Sequence, residues 1–294
     1  SGGSSVVTTD EGNIPGMGSQ HETSATQPFG AATDGSFKME LHGADATVSI
    51  GGTELKVENG KLYHNGVEVT ADAAVSVPGG AHGTLTVTGM DADGTVHYTY
   101  TLTTPVDATG NASNRPGEGD AGRGEAVHAD AFDVSITTTG GTATGQITVD
   151  ALDDAPVLST LDTTQTTVAD SETALTGTLS FTPGADAEGA QVTVEVEGQT
   201  FTGTKGENGW TFTGGSDGSS FQLNGTAFTY TRPSSNTTDG RNDTITLQVT
   251  VTDGDGDTAE QSVTVNTVAG PLFNDAPSGG SSVVTTDEGN IPGM

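Results

Sequence analysis

The residues best equipped for chemistry in this chain are aspartates set in glycine-rich turns. TDGDGDTA places Asp253, Asp255 and Asp257 at alternate positions with glycine between them. A hard cation such as Ca2+ takes about six to eight oxygen ligands, and alternating Asp and Gly lets a short turn aim several carboxylates at one ion without crowding. MDADGT, with Asp91 and Asp93, is a weaker relative. Ordinary hairpins favour the same turn composition. An EF-hand is excluded, because no helical pattern flanks TDGDGDTA and no Glu follows at the required place. DALDDAP gathers Asp150, Asp153 and Asp154 before a proline, and PLFNDAP sets Asn274 and Asp275 before Pro277. A third group follows the opening run of the chain: Asp10 and Glu11 in TTDEG, Glu288 in its later copy, and Asp170 and Glu172 in VADSET.

Other chemistries have weaker footing. The six histidines all lie in the first half, without the close spacing of a metal pair, and no G-x-S-x-G elbow occurs. Trp210 in GENGWTFTG has the ring of a carbohydrate platform, but a single Trp in a strand is usually core. No convergent acid, base and nucleophile set is present, so an enzyme is not expected.

The elements that carry these turns read as strands. TLTVTGM, VHYTYTL, FDVSITTT, QVTVEV, AFTYTR and TITLQVTVTD alternate apolar and polar residues, with Gly, Asn and Asp between the runs. Period-2 runs of Val, Ile, Thr, Tyr and Phe predict half-buried antiparallel strands. With no helical pattern between them, the expected fold class is all-β, in tandem immunoglobulin-like sandwiches.

Composition bounds the partners. The chain has 294 residues, 39 acidic against 8 Lys and Arg, and a formal net charge of −31. Phosphate recognition needs clustered cations, so nucleic acid is excluded as a partner, and anionic lipid surfaces are disfavoured. Hydrophobic residues make up 31%, supplemented by 44 glycines, which implies a globular chain with thin cores. Cysteine is absent, so neither disulfides nor thiolate-bound zinc can brace it. No apolar run approaches the ~20 residues of a membrane helix, and no charged-then-apolar leader opens the sequence.

The seventeen residues SGGSSVVTTDEGNIPGM occur twice, at 1–17 and at 278–294. A weaker internal repeat relates GTATGQITVDALDDAP to DTAEQSVTVNTVAGPLFNDAP, and HGADATVSIGGTELKVENGK to PGADAEGAQVTVEVEGQTFTGTKGENG. The boundaries this predicts are a sandwich over 1–156 with a long exposed loop at about 104–131, a second over 157–277, and 278–294 as the first strand of a further repeat.

DALDDAP resembles the inter-domain linker of cadherins, in which D-x-N-D-N-x-P holds calcium between successive sandwiches, although Leu152 stands where that family has Asn. PLFNDAP departs further, with Pro271 at the first Asp position. The resemblance implies that a Glu beside the first strand reaches such a junction, a role for Glu11 and Glu288. On that pattern Glu11 serves a junction before residue 1, equivalent to the one at Asn274 and Asp275. ADAFDVSITTTGGTATGQITVDALDDAP and TLQVTVTDGDGDTAEQSVTVN are similar to the VCBS-type repeats of giant RTX-type adhesins exported by type I secretion. That likeness covers most of residues 80–277. It implies an extracellular, calcium-stiffened repeat that supports adhesion or biofilm matrix, with neighbouring repeats or identical chains as partners and surface or matrix glycans as a further candidate class. In the first sandwich TTTGG, Thr137–Gly141, replaces the Asp-rich turn, so no calcium is expected there. Two alternatives stand beside this reading. One is a filament subunit polymerising by β-strand addition of its terminal strand. The other is a glycan-binding or enzymatic module using the 104–131 loop.

Overall fold

The computed structural model describes residues 3–19, 30–106, 123–233 and 243–269. In chain order its first eleven strands are β1 (Gly3–Asp10), β2 (Ala32–Lys38), β3 (Ala46–Ile50), β4 (Thr53–Glu58), β5 (Lys61–His64), β6 (Val67–Glu68), β7 (Val75–Val77), β8 (Gly83–Met90), β9 (Thr95–Leu102), β10 (Arg123–Thr138) and β11 (Gly141–Asp154). They form two facing sheets, β1-β11-β10-β3-β4-β5-β6 and β2-β9-β8-β7. The remaining ten are β12 (Val157–Thr163), β13 (Thr167–Ala169), β14 (Ala174–Thr182), β15 (Gln191–Val196), β16 (Gln199–Gly206), β17 (Gly209–Gly214), β18 (Ser220–Asn224), β19 (Ala227–Thr231), β20 (Thr244–Thr252) and β21 (Thr258–Val268). They build a second pair of sheets, β12-β14-β19-β18 and β13-β21-β20-β15-β16-β17. The fold is all-β, two immunoglobulin-like sandwiches in series, each closed over its own core.

Alternation decides which face is buried. In β9, Val96, Tyr98, Tyr100 and Leu102 are buried, and in β20 so are Ile245, Leu247, Val249 and Val251, with polar residues on the opposite face. Aromatic contacts knit the second core, with Phe201 set edge-on to Tyr230 at 5.9 Å and Phe221 stacked on Phe228 at 5.6 Å. Trp210 is half-buried and meets Phe181 edge-on at 5.1 Å, a packing residue on an edge strand rather than an open platform.

Among the described residues, ladders are antiparallel except at two places. β1 runs parallel to β11, from Gly3 opposite Gly145 to Asp10 opposite Leu152, and β13 runs parallel to β21. β1 and β13 therefore finish at the same pole as the last strand of their sandwich. The slot beside β11 is filled along eight residues by the chain's own β1.

The stretch expected as a loop over 104–131 is in part a strand. β10 begins at Arg123, while 107–122 lie outside the described residues. Register shifts at Arg123/Ala126 and at His128/Asp130 break the period-2 pattern, which hides the strand from a periodicity search. Asp130, on this strand, is buried. Its carboxylate accepts from the backbone N–H of Ala81 (2.6 Å), His82 (3.2 Å) and Gly83 (3.2 Å), and from the Tyr100 hydroxyl. It pins the β7–β8 connection to the core.

Replacing this carboxylate removes the acceptor of three backbone N–H groups and of the buried Tyr100 hydroxyl at once. Asp130→Ala is expected to destabilise the first sandwich by about 3 kcal/mol, and Tyr100→Phe by about 1 kcal/mol. Urea unfolding of both variants checks the ranking; equal, small losses would contradict it.

Candidate metal centre

The site is built where the first sandwich ends and the second begins. Parallel pairing brings the end of β1 beside the end of β11, so the short 3-10 turn Glu11–Asn13 abuts the end of β11, where Asp153 and Asp154 precede the linker to β12. Asp10 caps that turn, accepting from Gly12 N at 2.9 Å. Gly18 passes so close to Gly12 that a Cβ would lie 2.3 Å from the Gly12 carbonyl oxygen, which reserves the position for glycine. From the second sandwich come two loops, the β14–β15 connection with Asp186 and the β20–β21 turn with Asp253, Asp255 and Asp257. Gly254 N donates to the Asp186 carbonyl at 2.7 Å and ties the two loops together.

Glu11, Asp153 and Asp186 are buried, and one ligand oxygen from each lies within 4.8 Å of the others. Glu11 Oε1 accepts from Val106 N at 2.7 Å, but its buried Oε2 has no hydrogen-bond partner, and neither does either oxygen of Asp153. Asp253 Oδ1 accepts from Gly256 N (3.0 Å) and Asp257 N (2.7 Å), leaving its Oδ2 unmatched along with Asp255 Oδ1 and Asp257 Oδ2. Asp154 acts differently: its carboxylate accepts from Ser19 N and Ala185 N, both at 2.8 Å, and from the Ser19 hydroxyl. It is the polar clasp between the sandwiches, and Gly184 beneath it sits at φ +83°, where a Cβ would come within 2.8 Å of Asp154 Oδ2.

The electrostatics match this geometry. Burial pushes the Glu11 carboxyl up to about 9; the Val106 N–H opposes the rise, and the charges of Asp186 and Asp153 add to it. Burial also lifts Asp153 to about 8, with Asp255, Asp257, Asp186 and Asp154 adding repulsion. Asp253 rises to about 8 through burial and its neighbour Asp255, and Asp257 to about 6 through burial and the same neighbour. Carboxylate oxygens that are buried, mutually repelling and short of donors are the donor set a hard divalent cation fits.

Two separate clusters were expected, one at Asp150, Asp153 and Asp154 and one at Asp253–Asp257. The structure instead sets Asp153 against Asp255 and Asp257 at one junction. Glu11 lies at the junction that follows its own sandwich, not at one preceding residue 1, because β1 and β11 end together. Asp150 is outside the cluster, with His128 Nδ1 at 3.6 Å. Asp91 and Asp93 lie in the exposed β8–β9 turn, Asp91 against His97 (2.8 Å) and Asp93 against Lys38 (3.2 Å). Asn274, Asp275 and Glu288 lie outside the described residues. Asp186 was not singled out from sequence; its one signal is the GADA shared by 43–46 and 184–187.

No family model matches the chain, and no curated protein matches it. Among solved structures, the titin domains Z1Z2 in complex with telethonin are 10% identical over 90% of this chain and 91% of theirs, with a TM-score of 0.38. Drosophila N-cadherin EC1-3 is 12% identical over 89% of this chain and 62% of its own, with a TM-score of 0.32. Extracellular cadherin domains 1-4 of protocadherin gamma B7 are 14% identical over 75% of this chain and 46% of theirs, with a TM-score of 0.28. At such identities and TM-scores the likeness carries no argument, and the chemistry of the junction stands on its own residues.

The raised carboxyls give the metal-free protein a signed pH dependence. An acid held above its ordinary value contributes stability that is complete below the unfolded-state value and lost as the pH climbs through the folded one. In chelator, stability is therefore expected to fall as the pH rises from about 4, with the Asp257 contribution lost near 6 and those of Asp153 and Glu11 near 8 and 9. Denaturant unfolding across that range in chelator measures it; a flat profile would remove the repulsion argument.

Proposed function

We propose that the chain is a structural segment of an extracellular adhesive or matrix-forming array, in which calcium at the junction locks one sandwich onto the next. The observation that carries this reading is the convergence of Glu11 and Asp153 from the first sandwich with Asp186 from the second, buried carboxylates with ligand oxygens within 4.8 Å of one another, of which Glu11 Oε2 and both Asp153 oxygens have no hydrogen-bond partner. Glu11, Asp153 and Asp186 would hold the ion most directly, with Asp253, Asp255 and Asp257 completing the acidic wall. The cation would supply charge neutralisation, and through it a fixed inter-sandwich angle. The duplicated 1–17 and 278–294 stretches, the VCBS-like strand pattern and the strongly acidic composition support a repeat of an RTX-type secreted adhesin. Among the described residues no helix is long and apolar enough to cross a membrane. Partners on this reading are neighbouring repeats or identical chains, with glycans as a further class. Polymerisation by terminal strand addition meets an obstacle, since the position beside β11 is already taken by β1 of the same chain.

Extracellular calcium modules bind at about 10⁻⁴–10⁻³ M. A free concentration ten times the dissociation constant stabilises a site by roughly 1.4 kcal/mol. Calcium is therefore expected to raise the melting temperature and narrow the distribution of inter-sandwich angles seen by small-angle scattering, and Asp153→Asn with Glu11→Gln to abolish both effects. Coincident melting and scattering curves in calcium and in chelator would remove calcium from the proposal while leaving the sandwich array in place.

A further inference from the structure

The far pole of the second sandwich is built on the same plan as the junction, with one substitution of chemistry. β13 beside β21 repeats β1 beside β11, and Asp170 follows β13 much as Glu11 follows β1. The buried Tyr230 in β19 matches the buried Tyr100 in β9. The two-residue turn Glu197-Gly198, between β15 and β16, has φ of +48° and +75°, and its counterpart Gly51-Gly52, between β3 and β4, has +52° and +83°.

At this pole a cation is already present. Arg232 is 6% exposed and directs its guanidinium into the place where strand ends and turns converge. Nη1 donates to the carbonyls of Asp170 (2.9 Å) and Glu172 (3.1 Å). Nη2 donates to Glu197 Oε1 at 2.9 Å, Nε reaches both Glu197 oxygens at 3.3 Å, and the Tyr230 hydroxyl donates to Glu197 Oε2 at 3.0 Å. Glu197 holds a left-handed backbone that costs a non-glycine residue roughly 1 kcal/mol, at a turn position where the first sandwich uses Gly51. That cost is offset by a carboxylate placed against the guanidinium. A planar fork of five donors, charged at every accessible pH, can gather backbone carbonyls and a carboxylate much as an ion would.

We infer that Arg232 is a built-in cation that, among the described residues, draws the strand ends and turns at the far pole of the second sandwich together where the first junction would use a metal ion. Among the described residues there are then two kinds of end: one that needs a divalent ion from solution, and one that carries its positive charge in the sequence. The contrast rests on the calcium reading of the first junction; the role of Arg232 does not.

Hydrogen exchange on the full chain separates the two. With calcium against chelator, protection is expected to rise at 150–157 and 183–188 and to stay unchanged at 168–175 and 228–232. Arg232→Gln is expected to speed exchange at 168–175 by about tenfold, and Glu197→Gln, which keeps the side-chain volume, by a smaller factor. Calcium-dependent protection at 168–175 in the unmodified chain would overturn the inference, and so would unchanged exchange there in Arg232→Gln. Absence of a calcium effect at 150–157 would instead count against calcium at the first junction, with the Arg232 result still deciding its own case.

Discussion

Carboxylates buried together without a counter-charge set the terms for the rest of this molecule. Charge cannot be withdrawn from water beside like charge unless protons, donors or a cation accompany it. The two ends described above answer that requirement differently. At the first, Asp154 is met by backbone amides and the Ser19 hydroxyl, while Glu11 and Asp153 keep oxygens with no donor. At the second, a guanidinium stands among the carbonyls and Glu197. The glycines and tight turns around the first end follow from the same need. Gly184 makes room for a carboxylate, and Gly254 lets the two acidic loops approach, since a Cβ there would fall 2.2 Å from the Glu188 carbonyl oxygen.

Thin cores make that end matter more. With no disulfide and only modest apolar content, each sandwich depends on its alternating Val, Ile, Leu and Tyr faces and on a few buried polar anchors such as Asp130. Domain stabilities of about 5–15 kcal/mol leave little margin, so a junction worth one or two kcal/mol is a large share.

The all-β architecture was legible because period-2 alternation is strong in β9, β15 and β20, where buried and exposed residues follow the letters one by one. β10 was partly lost because its register shifts cut the alternation into pieces. The acids of the junction were legible one cluster at a time, but their convergence was not. It depends on a parallel pairing and on two loops meeting across the linker, relationships between segments that no local stretch of sequence contains. Asp186 escaped notice because a single acid in PGADAEGA has no local pattern. Arg232 escaped because an arginine after a strand reads as an ordinary surface cation until its surroundings are known.

The parallel pairing of β1 with β11 also has a mechanical meaning. The chain enters this sandwich at one pole and leaves at the other, with the entering and leaving strands side by side and in register over eight residues. Tension drawn through the backbone would pull these strands past each other lengthwise. The ladder bonds would then bear load together instead of peeling one after another, and the strand that delivers Glu11 to the acidic junction would also be the strap that resists extension.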